Sequence, residues 1–135
     1  MTPSTRVSEF VTDTMGLVLR IERRRLSPTV RAIFATAEAG NVIVHVPAMV
    51  FAEILYLAEK QKISISLHAV TDYLKKYPNY REYPMSLAVL EAAAQISDIR
   101  ELHDRLIAGT ARLLDVALLT NDPIIQASAY VKTVW

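Results

Sequence analysis

The 135-residue sequence contains no cysteine and only three glycines. The absence of cysteine excludes a disulfide scaffold, a zinc–thiolate site and catalysis by a thiol. Few glycines among 52% apolar residues are typical of a compact, helix-rich globular protein. At this length we expect a single domain over residues 1–135, large enough to bury a core without crosslinks.

Long apolar runs are also absent, since no segment approaches the roughly 18 residues that span a bilayer. The polar first ten residues, MTPSTRVSEF, lack the apolar core of a signal peptide. We therefore expect a cytoplasmic protein that does not contact membranes. Because the first predicted strand begins at Phe10, residues 1–8 are expected to form a flexible N-terminal extension.

The chain has almost no net charge, +1, which gives no global attraction for nucleic acid. Positive charge is nevertheless concentrated in one short segment after Asp13. The simplest interpretation of this segment is a solvated helix face, and the functional alternative is a rim that steers phosphate groups. Its arginines are Arg20, Arg23, Arg24, Arg25 and Arg31.

Strand-like and helical patterns alternate along the chain. Ser27-Pro28 and Ser86 are typical first residues of helices. Pro84 predicts either an edge strand or the end of a strand, because proline cannot donate a hydrogen bond to a neighbouring strand. Strands that alternate with helices of about ten residues predict an α/β fold, a parallel sheet of about four or five strands with helices on both faces. The predicted strands are 10–12, 42–46, 80–85, 116–120 and 131–134.

Four carboxylates lie where the apolar pattern predicts the end or edge of a buried element, namely Asp13, Glu53, Asp104 and Asp122. Burying an ionised carboxylate costs several kcal/mol unless a cation or hydrogen bonds compensate. Asp13 and Asp122 follow predicted strands, and ligands of parallel sheets bind outside the carboxyl ends of the strands. One divalent-metal site would explain all four acids, and without a cation at least one should have a raised pKa.

Each acid also has a purely structural explanation. Asp13 and Asp122, taken singly, are explained equally well as helix N-caps. Asp104 would suit the positive end of a helix that starts there, or would pair with Arg105. Glu53 has apolar neighbours three and four residues away on its helix, so it must either reach solvent at the rim or meet a cation.

The donor types favour a hard cation. Oxygen ligands without cysteine suit Mg²⁺ or Mn²⁺. Zinc is disfavoured because His45, His68 and His103 show no zinc-ligand spacing. His103 is adjacent to Asp104, but side chains of consecutive helical residues diverge, so we do not expect His103 to act with it.

Two neighbouring segments form a recognisable pair of motifs, LHDRLIAGTA at 102–111 followed by LLTND at 118–122. This pair resembles the C-terminal half of a PIN domain, especially that of the VapC-type ribonuclease toxins of bacterial toxin–antitoxin pairs. Asp13-Thr14 after a short strand, VPAMVFAEI at 46–54 and the ending VKTVW at 131–135 fit the same pattern. The resemblance covers nearly the whole chain, although 61–85 matches nothing strongly and the polar start is long.

This resemblance implies a metal-dependent endoribonuclease whose catalytic residues are Asp13, Glu53, Asp104 and Asp122. Asp13, Asp104 and Asp122 would be direct or water-mediated ligands of Mg²⁺ or Mn²⁺, and Glu53 would hold a water or act as a ligand. The implied partners are RNA as substrate, a cognate antitoxin protein and a second copy of the chain in a homodimer. Thr14 and Thr120 are candidates for orienting waters, although ordinary capping is the preferred explanation for Thr14.

Two other functions remain open. A catalytically inactive PIN-like module would bind RNA or protein through the same fold. A different metal-dependent phosphohydrolase is also possible on an α/β sheet, because a fold does not fix a function. A phosphatase with a nucleophilic Asp13 would be expected to have a second aspartate two residues later, where this chain has Met15.

Overall fold

The computed structural model describes residues 7–135. Of the predicted extension over residues 1–8, residues 1–6 lie outside this described part, and Ser8 is the first residue of strand β1. Among residues 7–135, no helix has both the length and the apolar character needed to cross a membrane.

Five parallel strands form one sheet with the order β3-β2-β1-β4-β5. The predicted α/β fold, a parallel sheet flanked by helices, is confirmed. Strand β3 lies at the edge and ends at Tyr83, directly before Pro84, so both outcomes predicted from this proline are observed. The strands are β1 (Ser8–Thr12), β2 (Val42–Pro47), β3 (Tyr80–Tyr83), β4 (Ala117–Leu119) and β5 (Thr133–Val134).

The strand order reverses between β1 and β4. From β1 the chain builds outward through β2 to β3, and it then returns to the other side of β1 to add β4 and β5. Such a reversal opens a crevice at the carboxyl ends of the two central strands. Asp13 follows β1 directly, and Asp122 follows β4 by three residues, so both acids lie at this crevice.

Seven helices connect and cover the strands within the described residues. Ser27, Ser66 and Ser86 each accept a hydrogen bond from the backbone N–H three residues later, which starts α2, α4 and α5. The helices are α1 (Thr14–Ile21), α2 (Pro28–Glu38), α3 (Ala48–Glu59), α4 (Leu67–Lys75), α5 (Leu87–Ala94), α6 (Leu102–Leu114) and α7 (Pro123–Gln126).

The core lies on both faces of the sheet. Consecutive residues point to opposite faces of a strand, so two adjacent buried residues require that both faces be covered. This holds for Val11 and Thr12 of β1, and for Leu118 and Leu119 of β4, all of which are fully buried. The strand ends were predicted less well, because periodicity cannot show where pairing with a neighbour stops.

Close packing of α5 against α6 depends on Gly109. A Cβ atom at Gly109 would lie 2.9 Å from the Cβ and from the backbone N of Ala93. Two helices can approach this closely only where one lacks a side chain. The contact matters for the site because α6 also contains Asp104.

We therefore expect Gly109→Ala to destabilise the protein by about 1–3 kcal/mol, because the added methyl group must push the α5 backbone away. Helix propensity alone predicts the opposite sign, a gain of about 1 kcal/mol. Urea unfolding of the two proteins measures the difference. An unchanged or increased free energy of unfolding would contradict the steric argument.

Candidate active site

The four predicted acids line one cavity of about 460 Å³ at the carboxyl edge of the sheet. We call this the acid cavity, defined by Asp13, Glu53, Asp104 and Asp122. All four side chains are partly buried. The acids come from the end of β1, from α3, from α6 and from the loop after β4, so the fold gathers four distant segments at one place.

Asp13 both caps a helix and lines the cavity. Its Oδ1 accepts a hydrogen bond from the backbone N of Gly16 at 2.7 Å, which starts α1. The Thr120 hydroxyl donates a second hydrogen bond to the Asp13 carboxylate. Gly16 makes room for this arrangement, because a Cβ there would lie 2.9 Å from Asp13 Oδ1. Capping and a site role are therefore compatible for this residue.

Asp122 is held in a similar way at the start of α7. Its Oδ1 accepts hydrogen bonds from the backbone N of Ile124 at 2.8 Å and of Ile125 at 3.2 Å. Its own N–H donates to Thr120 Oγ1 at 3.1 Å. Both caps use Oδ1, and no group of the described residues donates to the Oδ2 of Asp122. Thr120 thus connects Asp122 to Asp13.

The sequence predicted that Asp104 is the first residue of its helix, and this prediction was wrong. Helix α6 begins at Leu102 because Glu101 is its N-cap, and the Glu101 Oε2 accepts from the backbone N of Asp104 at 2.7 Å. The predicted pairing of Arg105 with a local acid is also wrong. Arg105 has no ion pair within the described residues, and its Nε is buried without a hydrogen-bond partner there. Asp104 still lies in the first turn of α6, where the helix dipole favours a negative charge, so of the two structural explanations only the pairing with Arg105 is excluded.

Glu53 is fixed by a hydrogen bond from another helix. The buried Thr14 hydroxyl donates to Glu53 Oε1 at 2.6 Å, across 39 residues of sequence. The preferred explanation of Thr14 as an ordinary cap residue was therefore wrong. The bond joins α1 to α3 and holds the Glu53 carboxylate at the cavity wall.

Burial and mutual repulsion make two of the acids hard to ionise. Burial raises the pKa of Asp13 to about 6, with repulsion from Glu53 and Asp122 adding to it and the hydrogen bonds from Thr120 and Gly16 opposing it. Burial likewise raises the pKa of Asp104 to about 6, and Glu101, Asp122, Glu53 and Asp13 add repulsion. The expected upward shift is confirmed at both residues. A cation in the cavity would relieve this repulsion.

The acids converge without enclosing a metal site. Within residues 7–135, no three acidic or histidine side chains are arranged to hold a metal ion directly. Mg²⁺ usually keeps several waters and binds through only one or two carboxylates. The oxygen donors and their unrelieved repulsion therefore fit a hydrated divalent ion better than one surrounded by protein ligands.

The cavity wall includes residues that the sequence did not single out as functional. Asn121 precedes Asp122, and Trp135 follows β5, so the rule for carboxyl ends of parallel strands would have found both. Arg24 also lines the cavity, and it is one of the arginines for which the sequence left open a phosphate-steering role. His103 does not line the acid cavity, and its Nδ1 lies 3.4 Å from Glu101 Oε1. This agrees with the expectation that the side chains of His103 and Asp104 diverge.

Comparison with known proteins gives a consistent result. The model of the PIN domain family matches residues 11–129. The fold is similar to DNA-bound VapBC from Salmonella typhimurium, with a TM-score of 0.70 and 15% identity over 94% of this chain and 97% of that one. It is also similar to VapBC2 from Rickettsia felis bound to a promoter DNA fragment (TM-score 0.69, 16% identity, 93% and 97% covered). No curated protein sequence matches the chain.

A third similar structure is VapC20 from Mycobacterium tuberculosis, described as a sarcin–ricin loop cleaving toxin. It has a TM-score of 0.60 and 14% identity, over 93% of this chain and 98% of that one. At such identities these likenesses establish a shared fold.

The raised pKa of Asp13 gives a prediction about stability. Asn at this position keeps a capping oxygen but cannot ionise. Since the folded-state pKa of about 6 lies above the ordinary aspartate pKa of 3.8, ionised Asp13 destabilises the fold above pH 6, and this penalty disappears below about pH 4. We expect metal-free Asp13→Asn to be more stable than the parent near neutral pH, by on the order of 1 kcal/mol. The measurement is urea unfolding of both proteins near pH 4 and near pH 7. If the difference in their free energies of unfolding were the same at both pH values, the raised pKa of Asp13 would be contradicted.

Proposed function

Since the chain belongs to the PIN domain family, we propose that it is a metal-dependent endoribonuclease that cleaves RNA phosphodiester bonds. The observation that supports this most strongly is the convergence of four acids from four segments on one cavity where the strand order reverses. Without a cation these carboxylates would repel the anionic phosphodiester group of the substrate. A divalent cation between acids and phosphate is therefore the natural link.

In this proposal the side chains of the acid cavity have distinct roles. Asp13, Asp104 and Asp122 hold Mg²⁺ or Mn²⁺, directly or through water, and the bound ion supplies water activation and charge neutralisation at the phosphate. Glu53, fixed by Thr14, orients a water. The Thr120 hydroxyl group hydrogen-bonds to both Asp13 and Asp122 and so fixes the position of one relative to the other.

We further propose that the protein is the toxin of a toxin–antitoxin pair. The similar structures include VapBC and a toxin–antitoxin complex from Klebsiella pneumoniae. By analogy, this chain would bind a cognate antitoxin protein and form a homodimer. An enzyme of this kind would act on RNA in the cytoplasm.

One observation favours the alternative of a catalytically inactive binding module. No three acids within the described residues enclose an ion directly. A module of this kind would bind RNA or protein with the same fold and would not depend on the acids for any reaction.

Asp104→Asn separates the two functions. Asparagine has the same size but no charge, so we expect RNA cleavage to fall by at least about 100-fold, since a lost metal ligand removes transition-state stabilisation. The measurement is a gel assay of RNA cleavage with Mg²⁺ or Mn²⁺, repeated with EDTA. A phosphomonoester substrate in parallel tests for a phosphatase.

Asp115→Asn is the matched control. Asp115 is exposed at the opposite end of α6 and has an ion pair with Lys132 on the surface, so the same exchange there should leave cleavage unchanged. Far-ultraviolet circular dichroism confirms that both variants are folded. If Asp104→Asn cleaved RNA as fast as the parent, the metal-nuclease proposal would be wrong and the binding module would be the better account.

A further inference from the structure

A second cavity, of about 500 Å³, lies beside the acid cavity and has the opposite charge. We call it the arginine cavity. Glu38 is the one acid among its described lining residues, so the formal charge of the lining is +4 in a chain whose net charge is +1. Arg24 lines both cavities and joins them. The arginines that line the arginine cavity are Arg20, Arg23, Arg24, Arg25 and Arg31.

Glu38 is fully occupied and does not neutralise the rest of this cavity. Arg20 donates to it through two nitrogens, at 2.8 and 3.0 Å. The hydroxyl groups of Tyr73 and Tyr80 donate to its Oε2 at 2.7 and 2.5 Å. This network joins α1, α2, α4 and β3, so it fixes the floor of the cavity before any ligand binds.

Three of the arginines have no acidic partner. Arg24 pairs with Glu22 at 3.1 Å. Arg23, Arg25 and Arg31 are exposed, and none of them lies within 4.0 Å of a carboxylate of the described residues. Three unpaired guanidinium groups at one concave surface attract anions, and their planar fork matches phosphate.

Arg23 lies in a defined turn. Helix α1 ends with Arg24 N donating to Leu19 O at 2.8 Å and Arg23 N donating to Arg20 O at 3.2 Å. Arg23 has a φ of 56°, in the left-handed region that glycine favours. The backbone that supports this guanidinium group is therefore hydrogen-bonded, and a glycine would adopt it more easily than arginine does.

Two aromatic rings complete the cavity. Tyr73 and Tyr77 are partly buried in its wall, with ring centroids 5.2 Å apart. Proteins that bind single-stranded nucleic acid combine a positive groove for the backbone with aromatic rings on which bases stack. The cavity volume suits an unpaired nucleotide, whereas a duplex hides its bases from such rings.

Building on the proposed function, we propose that the arginine cavity binds the single-stranded RNA chain next to the phosphate that enters the acid cavity. RNA is a polyanion and is repelled by four carboxylates, so an adjacent positive surface offsets this repulsion during binding. Arg24, shared by both cavities, lies where the strand passes from one to the other. An acidic protein segment would also satisfy the arginines, and the peptide arm of the test below distinguishes it from RNA.

Arg23→Gly tests this inference with little risk to the fold, because glycine favours the backbone conformation of Arg23. The assay is fluorescence anisotropy of a labelled single-stranded RNA of about 12 nucleotides, in EDTA so that no cleavage occurs. We expect the variant to bind about 5- to 10-fold more weakly, and the salt dependence of log K to become shallower by about 0.7 per lost phosphate contact. Arg25→Gln should act in the same direction.

Two matched controls separate charge from position. Gln61→Gly makes the same backbone change in the turn after α3, where φ is 55°, without removing a charge. Arg81→Gln removes an exposed arginine of the edge strand β3, outside both cavities. Both should bind RNA as the parent does.

The outcomes distinguish this inference from the proposed function. If Arg23→Gly and Arg25→Gln bound RNA as tightly as the parent, the inference would be overturned, whether or not the parent cleaves RNA with metal. Cleavage is a separate readout, and its absence from the parent would overturn the proposed function while the binding result still stood. Equal binding of a duplex RNA would overturn the single-strand assignment. Preferential binding of a poly-glutamate peptide would assign the cavity to an acidic protein segment instead.

Discussion

Pairing of β1 with β4 is the constraint on which the site depends. The two strands run parallel, with Val11 opposite Leu118 and Thr12 opposite Leu119, and the backbone N of Asp13 donates to Leu119 O at 3.1 Å. This pairing makes the chain reverse its strand order here, and it brings the loops after both strands to one crevice. Helix α6 packs on both strands and α3 packs against α6 and β2, so Glu53 and Asp104 reach the same crevice.

Gathering like charges in this way is unfavourable, and the surrounding structure limits the cost. Thr120, Thr14 and the N–H groups at the starts of α1 and α7 donate hydrogen bonds to the acids. The raised pKa values of Asp13 and Asp104 show that this compensation is incomplete. Incomplete compensation is expected of a site that binds a cation, since acids fully satisfied by the protein would have little affinity left for an ion.

Much of this arrangement followed from the sequence, because it depended on local rules. Asp13 and Asp122 were found from the ends of predicted strands, and Glu53 was found from its apolar neighbours on the helix. Ser27 and Ser86 cap helices, as their positions predicted. Contacts between distant segments could not be predicted. The Thr14–Glu53 bond joins residues 39 positions apart. The arginine cavity requires Tyr73 of α4 and Tyr77, just after α4, to pack against a segment about 50 residues earlier. Periodicity shows which face of a helix is buried but not which neighbour covers it.

The central claim is that the acid cavity holds a divalent ion. Anomalous diffraction from crystals of the protein soaked in Mn²⁺ tests it most directly, because Mn²⁺ prefers the same oxygen ligands as Mg²⁺ and can be located by its own scattering. The account predicts a peak inside the acid cavity, bound directly or through water to Asp13, Asp104 and Asp122, and absent from crystals of Asp104→Asn. If crystals soaked in saturating Mn²⁺ showed no anomalous peak in the acid cavity, or showed peaks only elsewhere, the claim of a metal site there would be contradicted.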